Sequence, residues 1–597
     1  MNRNTLQAEL LVEALIGAGV RHVCLSPGSR NTPLVLAFAK RDDVRVTSHL
    51  DERCAAFFAL GIGVATGVPA VLVCTSGSAA ANYFPAIVEA HQSHVPMIVI
   101  TADRPHELRH SGANQTIDQD KMYGGYALWS VDLPLPEAAP AALAFRNLRS
   151  TAARAVAIAR GERRGVVHLN APFRPPLEPT AVPGDVIEAP VMEAHVQIPV
   201  PAPRAADAQQ IATCAAQVKK FARGVIVCGP GCGEDGFRER VLDLAEATGY
   251  PILADALSGV RFGPDRPGVL VSGAYETYLH PQSAIGKALP KPELVLRFGN
   301  VPTSKWLNQF LDEAKPKAVL HVCADGVWAD DSHRVTHLIQ ADPGEFARQL
   351  VQERATYARR ASDAQRTSEL DAYRSAERAA SDAWQNALTA GAWFDAVAVQ
   401  DVIDGLPDGA TLFAGNSLPV RHVDQFGASA GRRLFVHANR GASGIDGNVS
   451  TALGIGHARP AQVLAALLGD VTLYHDMNGL LAVKRCGVPI TLVVLNNNGG
   501  GIFRRLAVKD FDPPFTEYFA TPHGLNFEPV AQLYGLDYVR ARDRAHFREA
   551  VAASVSARAS TLIEVTTDAQ MDFDARAAVI QAASASFRWS VAEEMEK

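Results

Sequence analysis

Short apolar runs recur along this chain, with longer stretches of helical period between them. In the first third the runs are RHVCLS, VRVTSHL, PAVLVCTS, PMIVITAD and GVVHLNAP, and NTPLVLAFAK and AANYFPAIVEAHQS lie between them. That alternation predicts buried strands in a parallel sheet with helices on both faces. The pattern stops at APFRPPLEPTAVPGDVIEAPVMEAHVQIPVPAPR, too rich in proline for a regular helix and readable as a linker. It resumes with RGVIVCGPG, PILADA, ELVLRFGN, AVLHVCAD and HLIQAD. A charged, alanine-rich stretch, YARRASDAQRTSELDAYRSAERAASDAWQNAL, predicts an exposed connecting helix. Beyond it come ATLFAGNS, RLFVHANRG, AQVLAALLGD, PITLVVLNNN and STLIEVTTD. The expected fold class is α/β, with three consecutive domains of parallel sheet flanked by helices. Their expected limits are 1–182, 205–355 and 393–597, joined by a linker at 183–204 and a helix at 356–392. No fixed short repeat is present, which excludes a solenoid.

A chain of 597 residues exceeds what one hydrophobic core can serve, in keeping with several domains. The formal net charge of −6 marks no surface for nucleic acid or anionic membrane, so neither is an expected partner. No apolar run is long enough to span a bilayer. The amphipathic N-terminus, MNRNTLQAELLVEALIGAG, carries acidic residues and lacks the apolar core of a signal peptide. Eight cysteines are scattered, and the closest pair, Cys228 and Cys232, has no second pair or histidines nearby. Neither a zinc site nor a disulfide framework is expected there, and the chain reads as cytoplasmic.

In open parallel sheets, ligands bind beyond the carboxyl ends of the strands. The first domain places Ser26-Pro-Gly-Ser29-Arg30, Glu52, Thr75-Ser-Gly-Ser78 and Asp103-Arg104 there. The third places Gly415-Asn416-Ser417, Asn439-Arg440-Gly441, Gly469-Asp470 and Asn496-Asn497-Asn498-Gly499. Such residues also serve as ordinary turns and helix caps, but here they recur in two domains with arginines among them. A carboxylate, an amide oxygen and a nearby backbone carbonyl are hard ligands, suited to Mg²⁺ or Mn²⁺ rather than Zn²⁺. A helix starting after Asp470 aims N–H groups at an anion, and Gly499–Gly501 permit a sharp turn. The sum is a cradle for a metal and a diphosphate. VCGPGCGEDG in the middle domain is a lone glycine cluster, a weak dinucleotide signal, and is read as part of a Rossmann-like domain without cofactor.

Asp470, with NN 26 residues later, resembles the thiamine diphosphate motif of the decarboxylase and acetolactate synthase superfamily. The usual third residue of that motif is glycine, and here it is Val471. SPGSRNTPL, HLDERCAAFFALGIG, TSGSAAANYFPAIVEA, TADRPHEL, GANQTIDQ, GNSLPVR and NRGASGIDG follow in order. Together they closely resemble the 2-succinyl-5-enolpyruvyl-6-hydroxy-3-cyclohexene-1-carboxylate synthase family of menaquinone biosynthesis, which also departs from the glycine. The likeness is dense in the first and third domains and thin in the middle, resting there on TSK (303–305).

The resemblance implies thiamine diphosphate with Mg²⁺ or Mn²⁺. It implies decarboxylation of 2-oxoglutarate and conjugate addition of the four-carbon carbanion to isochorismate. Glu52 would be the catalytic carboxyl, bonded to the aminopyrimidine. Asp470, Asn497 and the carbonyl of Gly499 would hold the metal. Asn416, Ser417, Ile445 and Gly469 would complete the cofactor site, Ile445 as the apolar prop. Both substrates are dicarboxylates, and arginine matches a carboxylate with two donors. The implied substrate contacts are Arg30, Arg104, Arg421, Arg440 and Lys305, with Ser29, Asn114, Gln115 and Ser417 adding hydrogen bonds. Ile502, Phe503 and Leu506 would form an apolar wall. Trp306 follows Lys305 where some relatives carry arginine. The family's sites lie between subunits, which implies a homodimer or homotetramer. Another thiamine enzyme, such as an acetolactate synthase or a 2-oxo acid decarboxylase, is the alternative; bound FAD would favour the synthase. A non-catalytic cofactor-binding scaffold would have no need of Glu52.

Overall fold

The computed structural model describes residues 1–186, 196–198, 202–232, 236–353, 363–391, 393–428 and 431–588. The expected linker (183–204), the connecting segment (356–392) and the glycine cluster VCGPGCGEDG therefore lie partly outside the described residues.

The chain builds three six-stranded sheets in which every neighbouring pair is parallel. The first contains β1 (His22–Leu25), β2 (Arg45–Ser48), β3 (Ala70–Cys74), β4 (Met97–Asp103), β5 (Ala127–Asp132) and β6 (Val166–Pro172). The second contains β7 (Gly224–Cys228), β8 (Ile252–Ala254), β9 (Val271–Ser272), β10 (Leu294–Phe298), β11 (Ala318–Cys323) and β12 (His337–Gln340). The third contains β13 (Ala410–Ala414), β14 (Leu434–His437), β15 (Leu464–Gly469), β16 (Thr491–Asn496), β17 (Asp537–Arg540) and β18 (Thr561–Thr566). The first and third share one order, β2-β1-β3-β4-β6-β5 and β14-β13-β15-β16-β18-β17. The middle sheet runs β12-β11-β10-β7-β8-β9, the doubly wound order of a Rossmann fold. Central strands such as β3, β4 and β16 are buried along their whole length, which explains their unbroken apolar runs.

The first and third domains meet through two helices, Glu52–Thr66 and Asn448–Ala458. Gly61 and Gly454 lie at their crossing: a Cβ on Gly454 would stand 2.0 Å from the Phe58 carbonyl oxygen, and one on Gly61 2.1 Å from that of Thr451. Backbone meets backbone there, and any side chain would force the helices apart. In the middle domain, a Cβ on Gly229 would lie 1.9 Å from the Asn300 carbonyl oxygen. That glycine is explained by close packing of two loops.

The helix Asp363–Thr389 corrects one expectation. It is not an exposed connector: Ala372, Tyr373, Ala376, Ala379, Ala380, Ala383 and Trp384 are buried. Its alanines form a stripe narrow enough for close packing against the C-terminal helix Ala569–Ser586 and the middle domain. Glu377 is drawn in with them and accepts hydrogen bonds from Ser272 Oγ and the N–H groups of Gly273 and Ala274.

Candidate functional site

β15 and β16 are neighbours in the third sheet, with Gly469 beside Leu495. Asp470 and Asn497 thus leave adjacent strands at the same edge. Asp470 opens the helix Asp470–Asp476 and is 2% exposed. Its Oδ1 accepts from Val471 N–H at 2.7 Å, and its Oδ2 from Gly499 N–H at 2.9 Å. Burial pushes its carboxyl above the ordinary range, opposed by those donors. Oδ1 of Asn497 is buried and has no hydrogen-bond partner among the described residues. An orphaned amide oxygen next to a buried carboxylate is a donor set that fits a hard divalent cation. Asn498 has φ +63° and Gly499 +132°. A Cβ on Gly499 would stand 2.1 Å from the Ala520 carbonyl oxygen, so only glycine closes this turn.

His523 was not legible as part of this cradle. Its Nε2 lies 3.1 Å from Oδ2 of Asp470. Leu525 N–H donates to its Nδ1 at 2.9 Å, which leaves Nε2 as the donor of a neutral ring, and among the described residues that nitrogen makes no hydrogen bond despite its closeness to Asp470. Asn498 Oδ1 accepts from the N–H groups of His523 and Gly524 and holds this loop over the cradle.

Ser417 ends the turn after β13 with φ +74° and ψ −123°. Asn416, wholly buried, ties the surrounding loops together. Its Nδ2 donates to the carbonyls of Asn439 and Gly444, its N–H to Asn448 Oδ1, and its Oδ1 accepts from Arg440 at 2.9 Å. Arg421 donates to the Ser417 carbonyl at 2.5 Å. Burial lowers the pKa of both arginines, and each guanidinium has acidic neighbours, Glu276 and Asp424 for Arg421 and Asp255 and Glu89 for Arg440. Arg440 also lowers the pKa of Arg421, so two cations share one recess.

The loop that carries Ile445 is fixed from the first domain. Glu89, on the helix Phe84–Gln92, accepts from the N–H groups of Gly441, Ala442 and Ser443 at 2.7, 2.7 and 3.3 Å. Ile445 itself is half-buried. No local pattern marks Glu89, because its partners lie some 350 residues away. Lys305 opens the helix Lys305–Ala314 and lies 4.9 Å from the centre of the Trp306 ring. The preceding Ser304 hydroxyl donates to Glu276, whose carboxylate also feels Arg421 and Arg505. The middle domain therefore reaches the same recess. Ile502 and Phe503 lie on the turn Gly501–Arg505, partly exposed, and Leu506 is 52% exposed.

A second group sits at the edge of the first sheet. Arg104 donates to Ser76 Oγ, Ser76 Oγ donates to the Gln115 carbonyl, and Gln115 Nε2 donates to the Ser76 carbonyl. Arg30 donates to the Phe173 carbonyl at 2.9 Å, and burial followed by the nearby Arg104 lowers its pKa. Ser29 and Asn114 are exposed beside them. Among the described residues, no hydrogen bond or ion pair joins this group to Arg421, Arg440 or Lys305. Glu52 begins its helix, half-buried, with its carboxyl raised by burial and by Asp51. Its neighbours are anchored to the third domain: Asp51 accepts from Asn478, Arg53 donates to the His475 carbonyl, and Cys54 Sγ lies 3.5 Å from Asp476 Oδ1.

Comparison with known proteins gives a consistent picture. Residues 7–122 match the N-terminal TPP binding domain of thiamine pyrophosphate enzymes, 200–413 the middle domain, and 421–565 the C-terminal TPP binding domain. The chain is 58% identical to a 2-succinyl-5-enolpyruvyl-6-hydroxy-3-cyclohexene-1-carboxylate synthase of Roseiflexus castenholzii, over 98% of this chain and 99% of that protein. It is 55% identical to the enzyme of the same name from Roseiflexus sp., over 98% and 99%. For the one from Halobacterium salinarum the figure is 44%, over 95% and 96%.

Proposed function

Since the chain belongs to the thiamine pyrophosphate enzymes, and within them to the 2-succinyl-5-enolpyruvyl-6-hydroxy-3-cyclohexene-1-carboxylate synthases, we propose that it decarboxylates 2-oxoglutarate and adds the remaining four-carbon unit to isochorismate, in menaquinone biosynthesis. The observation that carries this reading is the pairing of two features at one sheet edge. The Asp470–Asn497 cradle stands beside a recess holding Arg421 and Arg440. A cofactor site alone would not need two half-buried guanidiniums; a dicarboxylate does. This favours the reading over a pyruvate-using relative.

Thiamine diphosphate, when bound, supplies the electron sink for decarboxylation. Asp470, Asn497 and the Gly499 carbonyl would hold Mg²⁺ or Mn²⁺ against the diphosphate, with His523 standing beside Asp470. Glu52 would hold a proton at the aminopyrimidine; its half-buried position and raised pKa suit a carboxyl that shares one. Ile445 would support the cofactor from below, on a loop fixed by Glu89. Arg421, Arg440 and Lys305 would bind carboxylates from the third- and middle-domain side. Arg30, Arg104, Ser29, Asn114 and Gln115 would do so from the first-domain side, with Ile502, Phe503 and Leu506 closing the recess. Asn416 acts by aiming Arg440. Among the described residues the two groups are not joined in one chain, and two copies together would complete each site, in a cytoplasmic dimer or tetramer.

The test is incubation with 2-oxoglutarate, isochorismate, thiamine diphosphate and Mg²⁺, followed by mass analysis of the product. The expected mass is that of isochorismate plus the decarboxylated four-carbon unit. Turnover of pyruvate in preference to 2-oxoglutarate would overturn the assignment.

A further inference from the structure

Away from the thiamine cradle, three ionisable side chains meet in the interior. Asp395 opens the helix Asp395–Gly405, His422 lies within Leu418–Phe426, and Asp572 is in the first turn of Ala569–Ser586. Asp395 and His422 are wholly buried and Asp572 is 4% exposed. His422 Nε2 stands 3.7 Å from an oxygen of Asp395 and 3.6 Å from one of Asp572. Both distances are too long for hydrogen bonds. Among the described residues, both carboxylate oxygens of Asp395, both ring nitrogens of His422 and Oδ1 of Asp572 have no hydrogen-bond partner. Buried charged groups persist when they are paired or when they ligate a metal.

The geometry decides between those two. An imidazolium between two carboxylates would draw the pairs to about 2.7–2.9 Å. A four-coordinate ion with bonds of about 2.1 Å instead holds its ligands about 3.4 Å apart, close to the separations seen. One ligand atom from each of the three residues lies within 4.8 Å of the others. Two carboxylates and a neutral imidazole also bring a dication to neutrality, which a dry interior requires. Arg505 and Arg576 both act on Asp572. Arg576 is held by Glu276 and Gln425. Among the described residues neither arginine makes an ion pair with Asp572, which leaves its Oδ1 open to an ion.

We infer that Asp395, His422 and Asp572 form a second divalent-metal site, separate from the thiamine cradle, and that its mixed nitrogen and oxygen donors suit Zn²⁺ best. The ion would tie three helices together. One of them carries Arg421 beside His422; another, Ala569–Ser586, packs against the turn that bears Ile502 and Phe503. The site is therefore structural, and it sets the position of the substrate recess.

The test measures metal in the purified holoenzyme by mass spectrometry after dialysis against a weak chelator. About one equivalent of Zn²⁺ per subunit is expected. It should persist when thiamine diphosphate is removed and in Asp470→Asn, and it should be lost in His422→Leu. Should His422→Leu fail to fold, Co²⁺ exchanged into the parent protein gives the answer: a four-coordinate site shows strong visible absorption, and the octahedral thiamine cradle does not. Retention of the metal in His422→Leu would overturn the proposal. So would a parent protein with neither Zn²⁺ nor the Co²⁺ spectrum.

Discussion

Glu52 is the side chain on which activity, rather than binding, should depend. Glu52→Gln keeps the shape and removes the acid. Thiamine diphosphate affinity should change little if, as proposed, the Asp470 cradle supplies most of the contacts. Exchange of the proton on the reactive thiazolium carbon should slow by about 10²–10⁴, the usual worth of a positioned acid–base group. Quenched-flow NMR of the holoenzyme in deuterium oxide reads this without either substrate; parental exchange in the variant would remove Glu52 from the chemistry. Arg421→Ala and Arg440→Ala should act the other way, lowering kcat/KM for the carboxylate substrates while cofactor binding in calorimetry stays intact. Loss of one charged partner in a desolvated site costs about 2–5 kcal/mol. Asp476 carries a pH dependence. It is wholly buried, and burial raises its pKa from 3.8 to about 6, opposed by donors from Ser450 and Cys54. The unfolded chain releases this proton first, so the stability contribution is complete below the unfolded value and is lost as pH rises through about 4 to 6. The loss is on the order of 3 kcal/mol. Asp476→Asn still accepts from Ser450 N–H and should flatten the unfolding free energy across that window; an unchanged slope would count against the assignment. Asp470, Asn497 and Arg440 could be picked out as candidates because each sits just past an apolar strand, whereas Arg421, inside a helix, came only from the motif GNSLPVR. Glu89, His523 and Asp572 could not, because their roles come from partners distant in sequence.

The same division holds for strands and helices. Every strand expected from an apolar run is present. The three that the pattern missed, β5, β9 and β17, each lie at the edge of a sheet. β5 is half-buried throughout, β17 is exposed at both ends, and β9 has two residues. An edge strand covered on fewer sides has no need of a continuous apolar run; β2, β12 and β14, at the opposite edges, kept one, and β5, β9 and β17 did not. The alanine-rich helix shows the converse: composition gave the helix correctly and its surroundings wrongly, because small residues serve close packing as well as solvent exposure. The helix crossing between the first and third domains is equally silent in sequence. Gly454→Ala would place a methyl group against the Phe58 carbonyl, where neither backbone can yield cheaply. Such overpacking costs typically about 1–3 kcal/mol. The urea midpoint should fall with little change in slope, and a midpoint equal to the parent's would show that the two helices can slide.

The first and third sheets share a strand order, and in each chain they are already locked together through Glu89 and the paired helices. What the described residues of one chain leave unjoined are the proposed substrate contacts: Arg30 and Arg104 on one sheet edge, Arg421 and Arg440 on another. Leu50, Tyr474 and Leu533 are 59%, 57% and 73% exposed. Leu50 adjoins Glu52, Tyr474 lies on the helix that Asp470 opens, and Leu533 precedes Tyr534, which lines a cleft with Leu50. Apolar residues at that place fit a surface meant to be covered by a second copy. If the first domain of one copy faces the third domain of the other, Glu52 and Asp470 of a given site belong to different chains. Glu52→Gln and Asp470→Ala should each be nearly inactive alone. When equal amounts are unfolded and refolded together, half of the dimers are mixed, and each mixed dimer carries one site with both residues intact. About a quarter of parental activity should return. If each site is built within one chain, every site in the mixture keeps a defect and no activity returns. Tagged copies, separated after refolding, give the mixed dimer pure; it should then show about half of the parental rate. An inactive mixed dimer would place Glu52 and Asp470 of each site on the same chain.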